Sequence, residues 1–271
     1  MVTMPPSFFV TGLESEGRFP VGFRPMPTIF IQHHEVSPPG NTLEVLRTYG
    51  HSIRVIRTDQ GESIPDNLDD IDAIISCGGP QSVLESDDAM EAEYAFLRAA
   101  NDAQVPILGL CLGAQMLAHA LGGEVGRMDG GPEVGFHDVA LTPEGREDPL
   151  FKGIPWWTRQ FQWHQDEIAT APPEARILAS SKRCKVQVFA VGTSSYGVQY
   201  HPEYTRELVV EHWNRPDPFT ESGGGTQELS RQTDEHFAEF ERHGLRFFES
   251  VALFLMPLDR ISAGIARDIE H

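Results

Sequence analysis

The chain has 271 residues, 40% of them hydrophobic and 23% charged, which is enough apolar material for one large α/β domain with a substantial core. Lys and Arg total 21 against 40 Asp and Glu, a formal charge of −19. Such a surface repels the polyanionic backbone of nucleic acids and anionic membranes alike, so neither is expected as a partner.

Residues 1–27 are rich in Pro and Gly and show no period, and they are read as an N-terminal extension to a domain covering 28–271. The extension lacks a basic start followed by a long apolar run, so no signal peptide is expected. No stretch approaches the ~20 apolar residues of a membrane span. The run TIFIQ at 28–32 reads as a buried strand ending at His33 and His34. A helix is expected over 40–50, with Asn41 and Glu44 spaced as a capping box and Gly50 as its stop. Strands follow at 52–59 and 72–79, a helix at 86–102, a strand at 105–111 and a helix at 112–123. Short, wholly apolar strands alternating with helices predict a mostly parallel sheet covered on both faces. After Gly123 the pattern changes: VGFHDVALT, RILASS and KVQVFAVG are β-like runs with few helix signals, read as a small antiparallel extension. Residues 214–226 read as a loop, and a charged helical segment is expected over about 227–256.

Three cysteines, Cys77, Cys111 and Cys184, are too few and too widely spaced for a disulfide framework or a zinc site, which fits a reduced, cytoplasmic setting. Cys111 lies in GLCLGAQ, where a buried strand gives way to a helix. The pattern Gly109-x-Cys111-x-Gly113 matches a nucleophile elbow, in which glycines permit a tight turn and the helix N-terminus favours thiolate over thiol. The N–H of the next residue, Leu112, is then placed to meet an oxyanion. A buried core cysteine satisfies the same motif alone. A cysteine nucleophile needs a histidine held by a third group. His201 with Glu203, and His164 with Asp166, both have the i, i+2 spacing that puts two side chains on one face of an extended chain. Pro202 stiffens the first pair, and the residues alone prefer it only modestly. His33, His34 and Glu35 are adjacent with no matching cluster, so no metal or other cofactor is assigned. Cys77 reads as a small packed residue and Cys184 as a surface strand position.

GLCLGAQ at 109–115 followed by GVQYHPE at 197–203, with CGGP at 77–80 upstream, resembles the class I glutamine amidotransferase family, in order and spacing, over roughly residues 28–206. The resemblance implies a flavodoxin-like three-layer α/β sandwich and a Cys111–His201–Glu203 triad. It also implies oxyanion donors at Gly79 and Leu112, and substrate contacts from Gln115, Gln165 and Asp166. His164 is by that resemblance a wall of the site and not the base. VGFHDVALTPEG and DPLFKGIP, within 134–155, are similar to stand-alone GMP-synthase-like members. No Gly-rich phosphate loop is present to supply a synthetase activity in the same chain. Three readings follow: a glutaminase feeding ammonia to a separate synthetase partner, a γ-glutamyl peptidase acting on other small γ-glutamyl compounds, and a non-catalytic module that kept the fold.

Overall fold

The computed structural model describes residues 26–215 and 218–257. The expected N-terminal extension therefore lies outside the described residues except for Met26 and Pro27, as does the end of the chain beyond residue 257.

The chain alternates β1 (Thr28–Gln32), α1 (Asn41–Thr48), β2 (Ile53–Arg57), β3 (Ala73–Ser76), α2 (Asp88–Asp102), β4 (Ile107–Leu110) and α3 (Leu112–Ala120). A β-rich half follows: β5 (Glu124–Arg127), β6 (Glu133–Leu141), a short α4 (Pro143–Glu147), β7 (Trp157–His164), β8 (Asp166–Thr170), β9 (Arg176–Ser181), β10 (Val188–Val191) and β11 (Ser195–Val198). The helices α5 (Arg206–Asn214), α6 (Pro218–Ser222) and α7 (Gly225–Ser250) complete the fold, and α7 runs into a π-helical turn over Val251–Leu255.

One nine-stranded sheet has the order β2-β1-β3-β4-β11-β10-β9-β6-β7. Its first five strands are parallel, and β10, β9, β6 and β7 continue it antiparallel. Strands β5 and β8 form a separate antiparallel pair. β1 and β3 are buried at every residue, as expected of strands covered on both faces. Their alternate side chains serve two cores. Ile29, Ile31 and Ile74 face Tyr94 and Leu97 of α2 and Met116 and Leu117 of α3. Phe30, Ala73 and Ile75 face Leu46 of α1 and Phe247 and Phe248 of α7. The result is a flavodoxin-like three-layer α/β sandwich.

Helix α2 starts where the Asp87 carboxylate accepts the Met90 N–H at 2.9 Å. In α1 the expected capping box is not formed. Gly40 is the N-cap, Asn41 is already helical, and the Asn41 N–H donates to the Glu203 carbonyl at 2.8 Å. A tertiary acceptor has replaced the local one. The segment expected as a loop at 214–226 contains α6, which buries Thr220. Cys184, read from sequence as a surface residue, is fully buried, its N–H donating to Ser181 Oγ of β9 and its thiol to the Val186 carbonyl.

Helix α7 carries buried residues at Leu229, Thr233, Phe237, Phe240, Gly244, Phe247 and Phe248, the three-and-four spacing of an amphipathic helix. At Gly244 its backbone lies against the chain between His201 and Glu203: a Cβ there would sit 2.3 Å from the Pro202 carbonyl oxygen. An exposed helical Gly gains about 1 kcal/mol on replacement by Ala. Here overpacking against backbone opposes that gain, and Gly244→Ala is expected to destabilise the protein by about 1–3 kcal/mol in urea unfolding. A stabilised variant would show that α7 is not held against this turn.

Candidate active site

The C-terminal ends of β3, β4 and β11 meet side by side, the place where open parallel sheets gather ligands. After β4 the chain turns at Cys111, whose φ of 50° and ψ of −106° lie where L residues are rare and strain is about 1–3 kcal/mol. The surroundings fix it there. The Cys111 N–H donates to the Val198 carbonyl of β11 at 2.8 Å, and the Gly113 N–H donates to the Cys77 carbonyl at 3.1 Å. A Cβ on Gly113 would sit 2.0 Å from the Ser76 carbonyl oxygen, and one on Gly109 would sit 2.5 Å from the Gly113 carbonyl oxygen. No side chain fits at either position. The Leu112 N–H opens helix α3 and has no acceptor within the helix.

His201 follows β11 and is buried. Its Nδ1 lies 2.8 Å from Glu203 Oε1, and its ring is close enough to Cys111 for the sulfur's charge to act on it. Burial disfavours the imidazolium, but Cys111 and Glu203 outweigh it and push the pKa up to about 10. The Tyr204 ring stacks on His201 with centroids 4.3 Å apart. The Tyr204 hydroxyl is held in turn by His212 Nε2 at 3.1 Å and Ser37 Oγ at 3.3 Å. His212 takes the opposite course from His201: burial, then the charge of His201, push it down to about 3. It is therefore neutral. With Nδ1–H given to the Leu208 carbonyl at 3.1 Å, its Nε2 accepts from Tyr204.

On the other side of the sulfur, Gln115 spends both amide hydrogens inside the protein, on the Asp166 carbonyl at 2.9 Å and on Gln199 Oε1 at 3.1 Å. Only its Oε1 is left to face a substrate. That arrangement also orients Gln199, whose Nε2 points at Cys111 Sγ from 3.7 Å. Strands β7 and β8 are joined through Gln165, which is half-buried. Asp166 is buried, accepts from Ser82 Oγ at 2.6 Å and lies 3.2 Å from the Arg127 guanidinium. The rival dyad is not formed. His164 Nδ1 donates to the Asp166 backbone carbonyl, not its carboxylate, while its Nε2 lies 3.0 Å from Gln162 Oε1 and 3.2 Å from Glu133.

Cys111, His201, Gly79, Leu112, Gln115, Gln165 and Asp166 all line one cleft of about 760 Å³, and Glu203 sits behind His201. Gly78 and Gly79 form the wall after β3: a Cβ on Gly78 would come 3.1 Å from His201, and one on Gly79 2.9 Å from Leu112. Sequence reasoning missed Gln199, Tyr204, His212 and Ser37. Gln199 was within reach of it, since it stands two residues before His201 in the GVQYHPE motif. The other thiols are chemically quiet. Burial, then the charges of Glu203 and Glu93, raises Cys77 well above the usual thiol range, and burial raises Cys184 too. Among the described residues no group of three His, Cys, Asp or Glu side chains could hold a metal ion, and no helix is long and apolar enough to cross a membrane.

A thiol and an imidazole lining one cleft, with a carboxylate behind the imidazole, form the arrangement of covalent acyl transfer. The family described as glutamine amidotransferase class-I matches residues 36–212. The chain is 37% identical to the glutamine-hydrolyzing GMP synthase subunit of Sulfolobus acidocaldarius over 51% of its own length and 70% of that protein's. It is 26% identical to gamma-glutamyl peptidase 3 of Arabidopsis thaliana, covering 62% of this chain and 74% of that one. The crystal structure of a glutamine amido transferase from Methylobacillus flagellatus superposes with a TM-score of 0.75 at 25% identity, over 85% of this chain and 95% of the other. By fold, by the order of its motifs and by sequence, this chain belongs to the class I glutamine amidotransferase family.

Proposed function

We propose that the protein hydrolyses the side-chain amide of glutamine or another γ-glutamyl compound through a thioester on Cys111. The thiolate attacks the γ-carbonyl carbon, and the resulting oxyanion is met by the N–H groups of Gly79 and Leu112. His201, oriented by Glu203, gives its proton to the departing nitrogen as the C–N bond breaks. A water then attacks the thioester, returns a proton to His201 and releases glutamate with Cys111 restored. The chain supplies nucleophile, proton carrier and oxyanion donors, so this reaction calls for no metal or cofactor. The observation that carries the proposal is the His201 ring, which lines the cleft together with Cys111 and is hydrogen-bonded by Glu203 from behind. In this scheme Asp166 and the Gln115 Oε1 receive the α-ammonium end of the substrate, with Gln165 beside them.

A specific observation favours a second reading of the leaving group. The cleft is of the size that holds drug-sized ligands. It extends past Cys111 to Trp163 and Phe219, leaving room for an amino acid or peptide where ammonia would depart. The similarity to gamma-glutamyl peptidase 3 points the same way, whereas the similarity to the GMP synthase subunit points to a synthetase partner that receives ammonia. Three free cysteines suit a reducing, cytoplasmic setting.

Ammonia release from glutamine and amine release from γ-glutamyl dipeptides distinguish these readings. Cys111→Ala and His201→Ala are each expected to lose about 10³-fold or more in kcat, by analogy with other triads. His164→Ala is expected to keep turnover. The reverse pattern for the two histidines would overturn the assignment of the base. The two histidines flanking Tyr204 also differ in titration. His201 is expected to stay protonated until the pH rises through about 10, and His212 to stay neutral until it falls to about 3. Nitrogen-15 NMR of the imidazoles reads both. In Cys111→Ala the His201 midpoint should fall, because one of the two groups that raise it is gone; an unchanged midpoint would show that the thiol and ring are not coupled.

A further inference from the structure

His33 and Glu93 are buried outside the set of residues that line the cleft, on β1's end and on α2. His33 Nε2 lies 2.9 Å from Glu93 Oε2, and His33 Nδ1 lies 2.9 Å from the Cys77 carbonyl oxygen. A carbonyl only accepts, so the Nδ1 must carry a hydrogen. The second Glu93 oxygen accepts from Ser76 Oγ at 2.7 Å, so the carboxylate is satisfied at both ends. Burial disfavours charge on His33, yet the attraction and hydrogen bond of Glu93 outweigh it and raise the histidine above its ordinary range.

The anchored group is the peptide that begins the Gly78–Gly79 loop. The Cys77 carbonyl also accepts the Gly113 N–H, and the Cys77 N–H donates to Ile31 at 2.9 Å. Further along, the Gln81 amide donates back to the His33 carbonyl at 3.0 Å. A Cβ on Gly79 would lie 3.0 Å from His33 Cβ, so the loop rests on His33 directly. Two consecutive glycines have no side chains of their own with which to hold a conformation. Their position is set from outside, and part of that support passes through His33.

We propose that His33 and Glu93 are positioning residues for the oxyanion site, holding the Cys77–Gly79 backbone so that the Gly79 N–H meets the oxyanion formed at Cys111. The role rests on the γ-glutamyl hydrolysis proposed above. Neither side chain touches the reacting atoms, and both act through the loop.

The test separates acyl transfer from simple alkylation, because iodoacetamide alkylates a thiol by displacement and forms no oxyanion. The wild type is compared with the double variant His33→Leu/Glu93→Gln, which removes the Nδ1 donor without leaving a buried charge unpaired. A second double variant, His33→Asn/Glu93→Gln, restores a donor near the Nδ1 position. With γ-glutamyl p-nitroanilide and glutamine as probes, the Leu variant is expected to lose about 30-fold in kcat with KM within about twofold, the scale of a misplaced oxyanion donor. Its Cys111 alkylation rate should stay within about twofold, and the Asn variant should recover most of kcat. Should the Leu variant fail to fold by circular dichroism, Glu93→Gln alone carries the comparison, with an expected kcat loss of about fivefold at an unchanged alkylation rate. An unchanged kcat, or alkylation that falls in step with kcat, overturns the positioning role. A wild type that turns over neither probe overturns the parent reading and this role with it, and the control reports that before any variant is compared.

Discussion

Helix α3 begins in backbone contact with the sheet beneath it, and the site is arranged around that contact. The Gly113 N–H reaches the Cys77 carbonyl, and its Cα packs so close to Ser76 that a methyl group would overlap the carbonyl oxygen at 2.0 Å. This brings the start of α3, with a Leu112 N–H that has no acceptor within the helix, to the end of β3, where the Gly78–Gly79 loop begins. It also forces the turn between β4 and α3 to be made in a single residue, and that residue is Cys111 with a positive φ. Strain of about 1–3 kcal/mol at one cysteine is affordable only when many other contacts over-determine its position. Here they are the ladders from β4 to β3 and β11 and the Cys111 N–H bond to Val198.

The other half of the site is secured from the opposite layer. Helix α7 meets the Pro202 carbonyl at Gly244, and α1 begins on the Glu203 carbonyl. The His201–Glu203 corner is thus clamped between two helices that also bury Leu46, Phe247 and Phe248 in the core. Tyr204 extends the clamp by stacking on the His201 ring. Its own partner, His212, is kept neutral by burial and by the nearby positive charge. One imidazole is stabilised as a cation and its neighbour as a neutral acceptor, although both have the same side chain. The difference comes from what each ring faces: a thiol and a carboxylate in one case, a backbone carbonyl and a phenol in the other.

Much of this was legible in the sequence wherever local pattern decided the outcome. Apolar runs marked β1, β3 and β4, a charged helical pattern marked α7, and the two glycines around Cys111 marked the turn. Features set by distant chain segments were not legible. Nothing near Asn41 indicates that its N–H will bond Glu203 in place of a local cap, and nothing near Cys184 indicates that it is fully buried. The choice between His201 and His164 was close on spacing alone. It became distinct in three dimensions, where β6 brings Glu133 to His164 and the β7–β8 corner turns the Asp166 carboxylate away from that ring. Gln115 matched a substrate position by resemblance, but only the fold shows its amide hydrogens committed to Asp166 and Gln199.

The central claim is that Cys111 forms a covalent thioester with a γ-glutamyl group. It is tested most directly by acid-quenching the enzyme during turnover of glutamine or a γ-glutamyl amide and mapping the adduct by peptide mass spectrometry. Addition of a glutamyl group to the Cys111 peptide, enriched in His201→Ala if that variant still acylates slowly, is the result predicted. Turnover with no adduct on Cys111, or an adduct on Cys77 or Cys184, would contradict the account.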